Sequence, residues 1–422
     1  MFSDNFLVKS QLILITLIPF LLITGPFLSD LALVIVDIIF LIYCFKKNNF
    51  HYFKDPIARL FFLWCAYLIL RSLLSENIFL SLSSSLFFFR FGIFALAISF
   101  VASKNDNLKI YIFYSLIFCF TLLIIDGFIQ YFTGTNILGY EYVGNRLSGL
   151  FGEEQILGSY LSRLMPVLLG LVLLLYPNSI KAMILTICIF IGSDILIYIT
   201  GERVSFVKLM MATILIILLT KKWKFIRVST FIVSLILIAL ISFSDNKIKN
   251  RMIDFTQQQM DWGRVFSPQH DLLFEPAINM FINNPIFGVG PKMFRELCDD
   301  PRFQTNIFGY ENAKKTWAKN KNCSTHPHNT YIQLLAETGL VGTLPILIIF
   351  FYISIIFLKQ FINKFKSKIS NDDFRICLLI SIFILLWPYI PSGNFLHNWT
   401  NVITFLTVGL LLSNFKLKSF RS

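Results

Sequence analysis

The sequence predicts an all-α protein that crosses a lipid bilayer about twelve times, with a large outer loop containing short helices between the ninth and tenth crossings. Hydrophobic residues make up 56% of the 422-residue chain and charged residues only 14%, against roughly 25% charged residues in soluble domains. Apolar windows of about 20 residues, the length that spans the hydrocarbon layer, recur along the chain. Basic residues collect in every second connecting segment. Together these observations indicate a polytopic membrane protein.

The predicted spans divide the chain into three units. An N-terminal bundle of about nine helices occupies 1–244, a large loop occupies 245–328, and the tenth to twelfth helices occupy 329–422. The segment at 329–357 is long enough to begin outside the bilayer. The spans are predicted at 10–27, 31–45, 57–74, 84–101, 109–126, 156–176, 180–199, 203–220, 228–244, 329–357, 374–391 and 398–413.

The distribution of basic residues predicts the orientation. With the N-terminus inside the cell, both termini and the connections at 46–56, 102–108, 177–179, 221–227 and 358–373 are cytoplasmic. These segments hold most of the loop lysines and arginines, whereas the short opposite loops hold few, and such asymmetry is the positive-inside rule. The formal net charge of +13 is therefore explained by topology and does not indicate a nucleic-acid partner.

The sequence lacks the patterns that bind nucleotides. It contains no Walker loop, no G-x-G-x-x-G after a strand and no D-x-D pair, so nothing in it is typical of ATP or nucleotide-sugar binding. We therefore expect any transfer reaction to use a donor that is already activated, with no nucleotide cofactor.

Two outer segments interrupt the alternation of spans and short loops. The first is 127–155. In the second, 245–328, Ala277, Met280 and Phe281 recur at helical spacing, which predicts one or two amphipathic helices on the membrane surface. A glycine-rich turn with Gly288 and Gly290 follows.

Two cysteines, Cys298 and Cys323, lie in this outer loop, where an oxidising compartment such as a periplasm would permit a disulfide. The alternative is two free thiols. The other five cysteines lie in or beside spans, where a thiol packs like a small hydrophobic group.

Charged residues near the spans have two interpretations each. Arg203 lies at the outer mouth of the hairpin "IGSDILIYITGERVSF", where it either clamps a phosphate or snorkels and caps a helix. Asp194 and Lys208 lie about equally far down the two arms of this hairpin, so we expect them to pair, as charges within a membrane usually must.

Further basic residues fall within spans or in the large loop. We expect Arg90 and Arg163 to form structural ion pairs, Arg163 with Glu153 or Glu154. Loop residues that either contact an anionic substrate or form a solvated face are Arg264, His270, Lys292, Arg295 and Arg302.

The stretch "CSTHPHNTYIQLLAETGLVG", 323–342, places two histidines before an apolar run. If a helix begins near Pro327, one face carries His328 with Gly339 and Gly342 beneath it. The positive end of the helix dipole favours an anion and keeps His328 neutral. The alternative is that both histidines are polar residues at a helix cap and the glycines serve packing only. His326 is out of register with the glycines, so we expect it only to cap.

Four stretches together resemble the O-antigen ligase and O-antigen polymerase superfamily. "HNTYIQLLAETGLVGT" fits the pattern H-[NSQ]-x9-G-x-x-G-T with His328, Asn329, Gly339, Gly342 and Thr343. The others are "RLSGLFGEEQILGSYLSRLMP", "TGERVSF" and "AINMFINNPIFGVGPKMFR", in family order over roughly 125–345.

The resemblance implies a glycosyltransferase of the bacterial inner membrane with a periplasmic active site. Members transfer a glycan from undecaprenyl pyrophosphate to an acceptor without a metal or nucleotide, and their functional arginine and histidine correspond to Arg203 and His328. A further loop arginine of the family corresponds to a position that holds His270 here, with Arg264 and Arg295 as nearby substitutes.

Our leading interpretation of the sequence is a ligase that joins a glycan to the lipid A core, with inversion at the anomeric carbon. We place Asn329 of the motif and Arg146 of the first outer segment among its predicted substrate-binding residues. The alternatives are a polymerase, whose acceptor is another lipid-linked glycan, and a protein O-oligosaccharyltransferase. A transporter of lipid-linked sugars would be expected to show repeat-related halves, which the sequence does not show.

Overall fold

Helices connected by loops make up the part of the chain that the structure describes. The computed structural model describes residues 3–142, 146–260, 266–304, 323–365 and 372–419. Within these ranges there is no β-strand, and Thr135 and Glu141 form a single isolated bridge. The helices are α1 (Asp4–Leu21), α2 (Pro26–Lys47), α3 (Pro56–Leu73), α4 (Ile78–Ser85), α5 (Phe89–Lys104), α6 (Leu108–Thr133), α7 (Leu157–Leu175), α8 (Ile180–Ile199), α9 (Arg203–Leu219), α10 (Lys224–Ser244), α11 (Asn246–Lys249), α12 (Phe255–Met260), α13 (Pro268–Asn283), α14 (Phe294–Leu297), α15 (Thr330–Phe365), α16 (Asp373–Leu385) and α17 (Asn398–Ser419).

Nine helices in the described residues are long and apolar enough to cross a membrane. One of the nine runs continuously through α4 and α5, over Ile78–Lys104. The prediction of an all-helical, multi-pass membrane protein is confirmed for these residues. Helices also form at the predicted spans 203–220, 374–391 and 398–413, as α9, α16 and α17, but they are not among the nine. The count of twelve crossings therefore stays a prediction.

Helix α7 lies at the centre of the bundle. Its residues from Leu157 to Leu173 are buried apart from Ser159, and it packs against α6, α8, α9 and α16. An apolar helix that is buried all round is typical of the interior of a large protein. The start of α7 is thereby fixed in the middle of one end of the bundle, which is where the candidate site lies.

Asp194 pairs with Arg227, and not with Lys208 as the sequence predicted. Arg227 is a residue of α10 and not of a cytoplasmic loop, and its side chain is 2% exposed. Its Nη1 lies 2.9 Å from Asp194 Oδ2, and Ser234 donates to the same oxygen. Equal distance from the hairpin was not sufficient for pairing, because the rotation of each helix also decides which charges meet. The expected ion pair of Arg90 is confirmed, with Asp30 at 2.8 Å.

The outer segment 245–328 has its own small hydrophobic cluster. Ala277 and Met280 on α13 are fully buried, together with Met293, Phe294 and Cys298. The helical spacing was therefore interpreted correctly, but the apolar face of α13 packs on α15 and not only on a membrane surface. Cys298 and Cys323 form a disulfide with their Cα atoms 5.2 Å apart, which ties α14 to the segment that leads to the motif histidines.

The motif glycine Gly339 interrupts α15, so the motif glycines do not form a smooth helical face. Gly339 has φ 62° and ψ −165°, so the helix breaks there. Residues 285–290 cross at the break, where Val289 and Gly290 donate backbone hydrogen bonds to the carbonyls of Ala336 and Glu337. A Cβ atom at Gly339 would collide with the Ile286 backbone, and one at Gly288 with residues 337–339. The expected role of Gly339 beneath His328 on one helical face is therefore wrong.

Replacing Gly339 by alanine should destabilise the protein. The positive φ alone costs a residue with a side chain about 1–3 kcal/mol, and the collision with the Ile286 backbone adds to this. Thermal unfolding in detergent should show a clear decrease in Tm. Gly393→Ala is the matched control, because a Cβ atom at Gly393 meets no atom within 4 Å. Equal Tm values for Gly339→Ala and Gly393→Ala would contradict the backbone crossing at Gly339.

Candidate active site

A cavity of about 1080 Å³ opens at the end of the bundle where α7 and α9 begin. Its apolar lining comes from the end of α1, from α6 and from the segment after α6, with Phe20, Ile23, Leu122 and Leu138. Its other walls carry most of the titratable groups, namely Arg146, Glu154, Arg163, Glu202, Lys208, His270, Arg295, His326, His328 and His397. The cavity therefore combines an apolar wall with a cationic one.

Three of the histidines are in contact. The rings of His326 and His328 have centroids 4.0 Å apart, and those of His270 and His328 are 5.8 Å apart. Thr325 Oγ1 lies 2.9 Å from His326 Nδ1, and Ser267 Oγ lies 2.6 Å from His270 Nδ1. The expectation that His326 only caps a helix is wrong, since its ring contacts that of His328 at a tilt of 47° and lines the same cavity.

Burial keeps these histidines neutral. It lowers the pKa of His328 from its usual 6.5, lowers that of His270 to about 4 with the help of His328 and Arg203, and lowers that of His326 to about 3. The sequence predicted a neutral His328 from a helix dipole. The pKa of His328 is lowered, in the predicted direction, but the main cause is burial and not the helix dipole. A neutral imidazole at pH 7 is able to accept a proton.

The position of His328 is set by the backbone around it. It precedes α15 and has φ 57°, a left-handed conformation that is uncommon outside glycine. The Ser392 N–H donates to its carbonyl at 2.8 Å. Asn329 then caps α15 by accepting from the Tyr331 and Ile332 N–H groups, while its own amide donates to the Pro388 carbonyl. Asn329, predicted to bind substrate, is thus occupied in holding His328 and the loop after α16 together.

Arg203 lies behind the cavity wall. Its Nη1 donates to Gln259 Oε1 at 2.7 Å, and the guanidinium stacks over the Phe255 ring at 4.9 Å. It is near enough to His270 to affect its titration. Arg251, which the sequence analysis did not single out, donates to the Gly201 carbonyl in the turn before Arg203. Both arginines therefore belong to one basic cluster with Arg146.

The structure separates the predicted substrate residues into two groups. His270, Arg295 and Arg146 line the cavity, with Arg146 donating to the Gln155 carbonyl at 3.1 Å. Arg264 lies outside the described residues. Lys292 instead donates to Ser83, and Arg302 pairs with Glu76 and Asp300 at the surface.

The motif glycines have structural roles. Gly288, Gly290 and Gly339 form the crossing described above, and Gly342 offers its carbonyl to Trp64 Nε1 at 2.8 Å. The three glycines at the crossing fix the break in α15. His326 and His328 lie just before the start of the same helix.

Sequence reasoning missed several residues of the cavity. His397 comes from the segment before α17, far along the chain, and no local pattern around it indicates the site. Lys208 was assigned to the wrong partner. Arg163 donates to Ser159 Oγ at 3.0 Å, and no hydrogen bond or ion pair joins it to Glu153 or Glu154 in the described part of the chain. Among the described residues, no group of three or more His, Cys, Asp or Glu side chains is arranged to hold a metal ion.

The comparisons with known proteins agree with the motifs. Residues 184–347 match the family model described as O-antigen ligase, and this region contains Arg203, His270, Arg295 and His328. No curated protein matches the chain. The chain is therefore a multi-pass membrane protein that contains a region, residues 184–347, similar to the O-antigen ligase family.

Proposed function

We propose that this protein is a glycosyltransferase that transfers a glycan from undecaprenyl pyrophosphate to the lipid A core. The observation that carries the proposal is the cavity, which joins an apolar wall to a wall of cations and neutral histidines. A donor that is a lipid at one end and a diphosphate sugar at the other fits both walls. The match of residues 184–347 to the O-antigen ligase family supports the same assignment.

The cationic wall suits the leaving group. Arginine binds phosphate oxygens through charge-assisted, often bidentate hydrogen bonds, and Arg146 and Arg295 both line the cavity. Cations that neutralise the diphosphate stabilise the charge that develops on it as the sugar departs. In this proposal Arg203 and Arg251 add positive potential from behind the wall.

His328 supplies the base in the proposed reaction. Its neutral ring accepts the proton of the acceptor hydroxyl as that oxygen bonds to the anomeric carbon. The bond from this carbon to the phosphate oxygen breaks on the opposite face, and the electron pair leaves with the lipid diphosphate. Attack opposite the leaving group inverts the anomeric configuration. The expected contribution of such a base is about 10²–10⁴-fold.

The proposed orientation follows the basic loops. Both termini lie in the cytoplasm of a bacterial inner-membrane protein with about twelve crossings, organised as the units 1–244, 245–328 and 329–422. The cavity and the loop 245–328 then face the periplasm. The positive-inside asymmetry and the disulfide of this loop support this placement, because disulfides persist in oxidising compartments.

Deletion of the protein followed by gel analysis of lipopolysaccharide tests the assignment. A ligase leaves bare core and glycan on the lipid carrier. Core that bears single repeats indicates a polymerase, and unchanged lipopolysaccharide with loss of protein glycans indicates a protein O-oligosaccharyltransferase. A purified protein that moves lipid-linked glycan without cleaving it is a transporter, and the proposal is then wrong.

Replacing Arg203 by alanine should raise the KM for donor by about fivefold, because removing a positive charge that lies near the diphosphate without contacting it costs about 1 kcal/mol. It also removes the contacts to Gln259 and Phe255 that hold α12. Steady-state transfer with purified protein measures the change. Arg302→Ala is the control, because this arginine is 54% exposed in surface ion pairs. Equal KM values for wild type and Arg203→Ala would refute the role of Arg203.

A further inference from the structure

Lys208 is a buried cation that faces the cavity. It lies on α9, its exposed fraction is 4%, and it lines the cavity. Its expected partner Asp194 is occupied by Arg227. Within the described ranges, no hydrogen bond or ion pair of the Lys208 ammonium group is found. A buried ammonium group normally has a partner, because its desolvation is otherwise uncompensated.

A second buried cation lies beside it. Arg163 on α7 is 6% exposed and lines the same cavity. It donates through Nε to Ser159 Oγ, and the described residues show no bond from its two terminal nitrogens. Lys208 and Arg163 are close enough to repel each other electrostatically. Two like charges in one buried place indicate an anion between or beside them.

The neighbouring carboxylate balances at most one of the two charges. Glu202 is within electrostatic range of Lys208 and Arg163. However, its Oε1 accepts from the Gly158 N–H at 2.7 Å, and its Oε2 accepts from the Ser159 N–H and the Ser205 hydroxyl. These bonds cap the first turn of α7. One carboxylate that is already bonded three times leaves the pair of cations with an excess positive charge.

The pair lies deeper in the bundle than the start of the two helices. The Glu202 cap holds the beginnings of α7 and α9 side by side. Lys208 is five residues into α9 and Arg163 six residues into α7, or about 7 to 9 Å along the helix axes. Arg146 lies in the segment before α7, so the cavity has an outer and an inner cationic region.

We propose that Lys208 and Arg163 form a separate subsite for the lipid-side phosphate of the donor, the phosphate that lipid monophosphates and lipid diphosphates share. The inference rests on the proposed function. The lipid enters from the bilayer, so its own phosphate lies deeper than the phosphate attached to the sugar. Arg146 and Arg295 then contact the sugar-side phosphate. A lipid monophosphate fills the inner region alone.

Equilibrium binding tests the subsite without requiring turnover. The probes are undecaprenyl diphosphate, undecaprenyl monophosphate and inorganic pyrophosphate, titrated onto the full-length protein in nanodiscs. Wild type should bind the lipid diphosphate at least about tenfold more tightly than the lipid monophosphate, as one charge-assisted contact predicts. Inorganic pyrophosphate should bind more weakly than the lipid diphosphate, because it lacks the apolar chain.

Lys208→Met is the decisive variant, since methionine keeps the length of the side chain and removes its charge. Its affinities for the diphosphate and for the monophosphate should both fall about tenfold, because both lipids carry the lipid-side phosphate. The Tm without ligand should not fall, because an unpaired buried charge has been removed. Lys364→Met is the control, since Lys364 binds the carbonyls of Ile217 and Leu218 at the other end of α9.

The outcomes separate this subsite from the proposed function. A Lys208→Met protein that binds the monophosphate as tightly as wild type overturns the subsite and leaves the proposed function standing. Wild type that binds neither lipid overturns both the subsite and the proposed function. Inorganic pyrophosphate that binds as tightly as the lipid diphosphate overturns the assignment to a lipid phosphate. If Lys208→Met does not fold, Arg163→Gln is titrated in the same way, and a wild-type affinity for the monophosphate in that variant overturns the proposal.

Discussion

Replacing His328 by alanine should lower glycan transfer by about 10²–10⁴-fold, the contribution of a general base, while the protein still folds. The ring lies at the cavity beside His326 and His270, and its pKa is lowered by burial. The backbone hydrogen bond that fixes residue 328 comes from Ser392 to the carbonyl, so removal of the ring leaves this contact. Transfer from purified lipid-linked glycan, with thermal unfolding as the folding check, measures both effects.

His51→Ala is the matched control for this experiment. Of the five histidines of the chain, His51 is exposed, lies in the turn between α2 and α3 and does not line the cavity. Its replacement should leave transfer unchanged. Transfer at the wild-type rate by the His328→Ala protein would refute the base assignment, whatever the other variants do.

The pH dependence provides a second measure of the same residue. A base must be deprotonated, and the lowered pKa of His328 means that the neutral form persists below pH 6.5. The acid limb of kcat/KM in wild type should therefore fall below pH 6.5 and not at it. The residual activity of His328→Ala should lack this limb. A limb that persists unchanged in the variant would assign it to another group.

Replacing Arg227 by methionine should destabilise the fold by about 3–5 kcal/mol, the cost of leaving a buried charge without its partner. Asp194 is fully buried and accepts from both terminal nitrogens of Arg227. Thr213 also accepts from this guanidinium, so α8, α9 and α10 meet at one polar point. Thermal or denaturant unfolding in detergent should show the largest loss among the variants described.

The double variant tests whether the loss arises from the orphaned charge. Asp194→Asn combined with Arg227→Met removes both charges, and it should recover much of the stability lost in Arg227→Met alone. Arg302→Met is the control, because exposed ion pairs contribute about 0–1 kcal/mol and Arg302 is 54% exposed. If the double variant is as unstable as the sum of the single variants, the pair is not coupled.

Much of the site was visible in the sequence because it depends on local patterns. The sequence motifs and charges predict four site residues that line one cavity, namely His328, His270, Arg295 and Arg146. Apolar runs of sufficient length predicted the helices, and the spacing of Ala277 and Met280 predicted the buried face of α13. Such patterns depend on short stretches of chain, so each stretch by itself is sufficient to predict its own helix and buried face.

The errors share a physical cause, which is that pairs distant in sequence meet through helix rotation and backbone crossings. Asp194 and Lys208 were predicted to pair because they lie about equally far along their helices. The rotation of α8, α9 and α10 instead places Asp194 against Arg227. Gly339 was placed on a continuous helical face, yet residues 285–290 cross there and break the helix. Asn329 was predicted to bind substrate, yet its side-chain amide donates to the Pro388 carbonyl in the loop after α16.

The sequence by itself determined the membrane class, the helices and the resemblance to the O-antigen ligase family, because hydrophobic length, periodicity and short motifs are properties of contiguous residues. Only the tertiary structure decided which cations face the cavity. Lys208 and Arg163 lie on different helices, and their common position depends on Glu202 joining the starts of α7 and α9. Whether a buried charge is paired or free to bind an anion is set by packing between distant segments, and that information is not contained in any one of them.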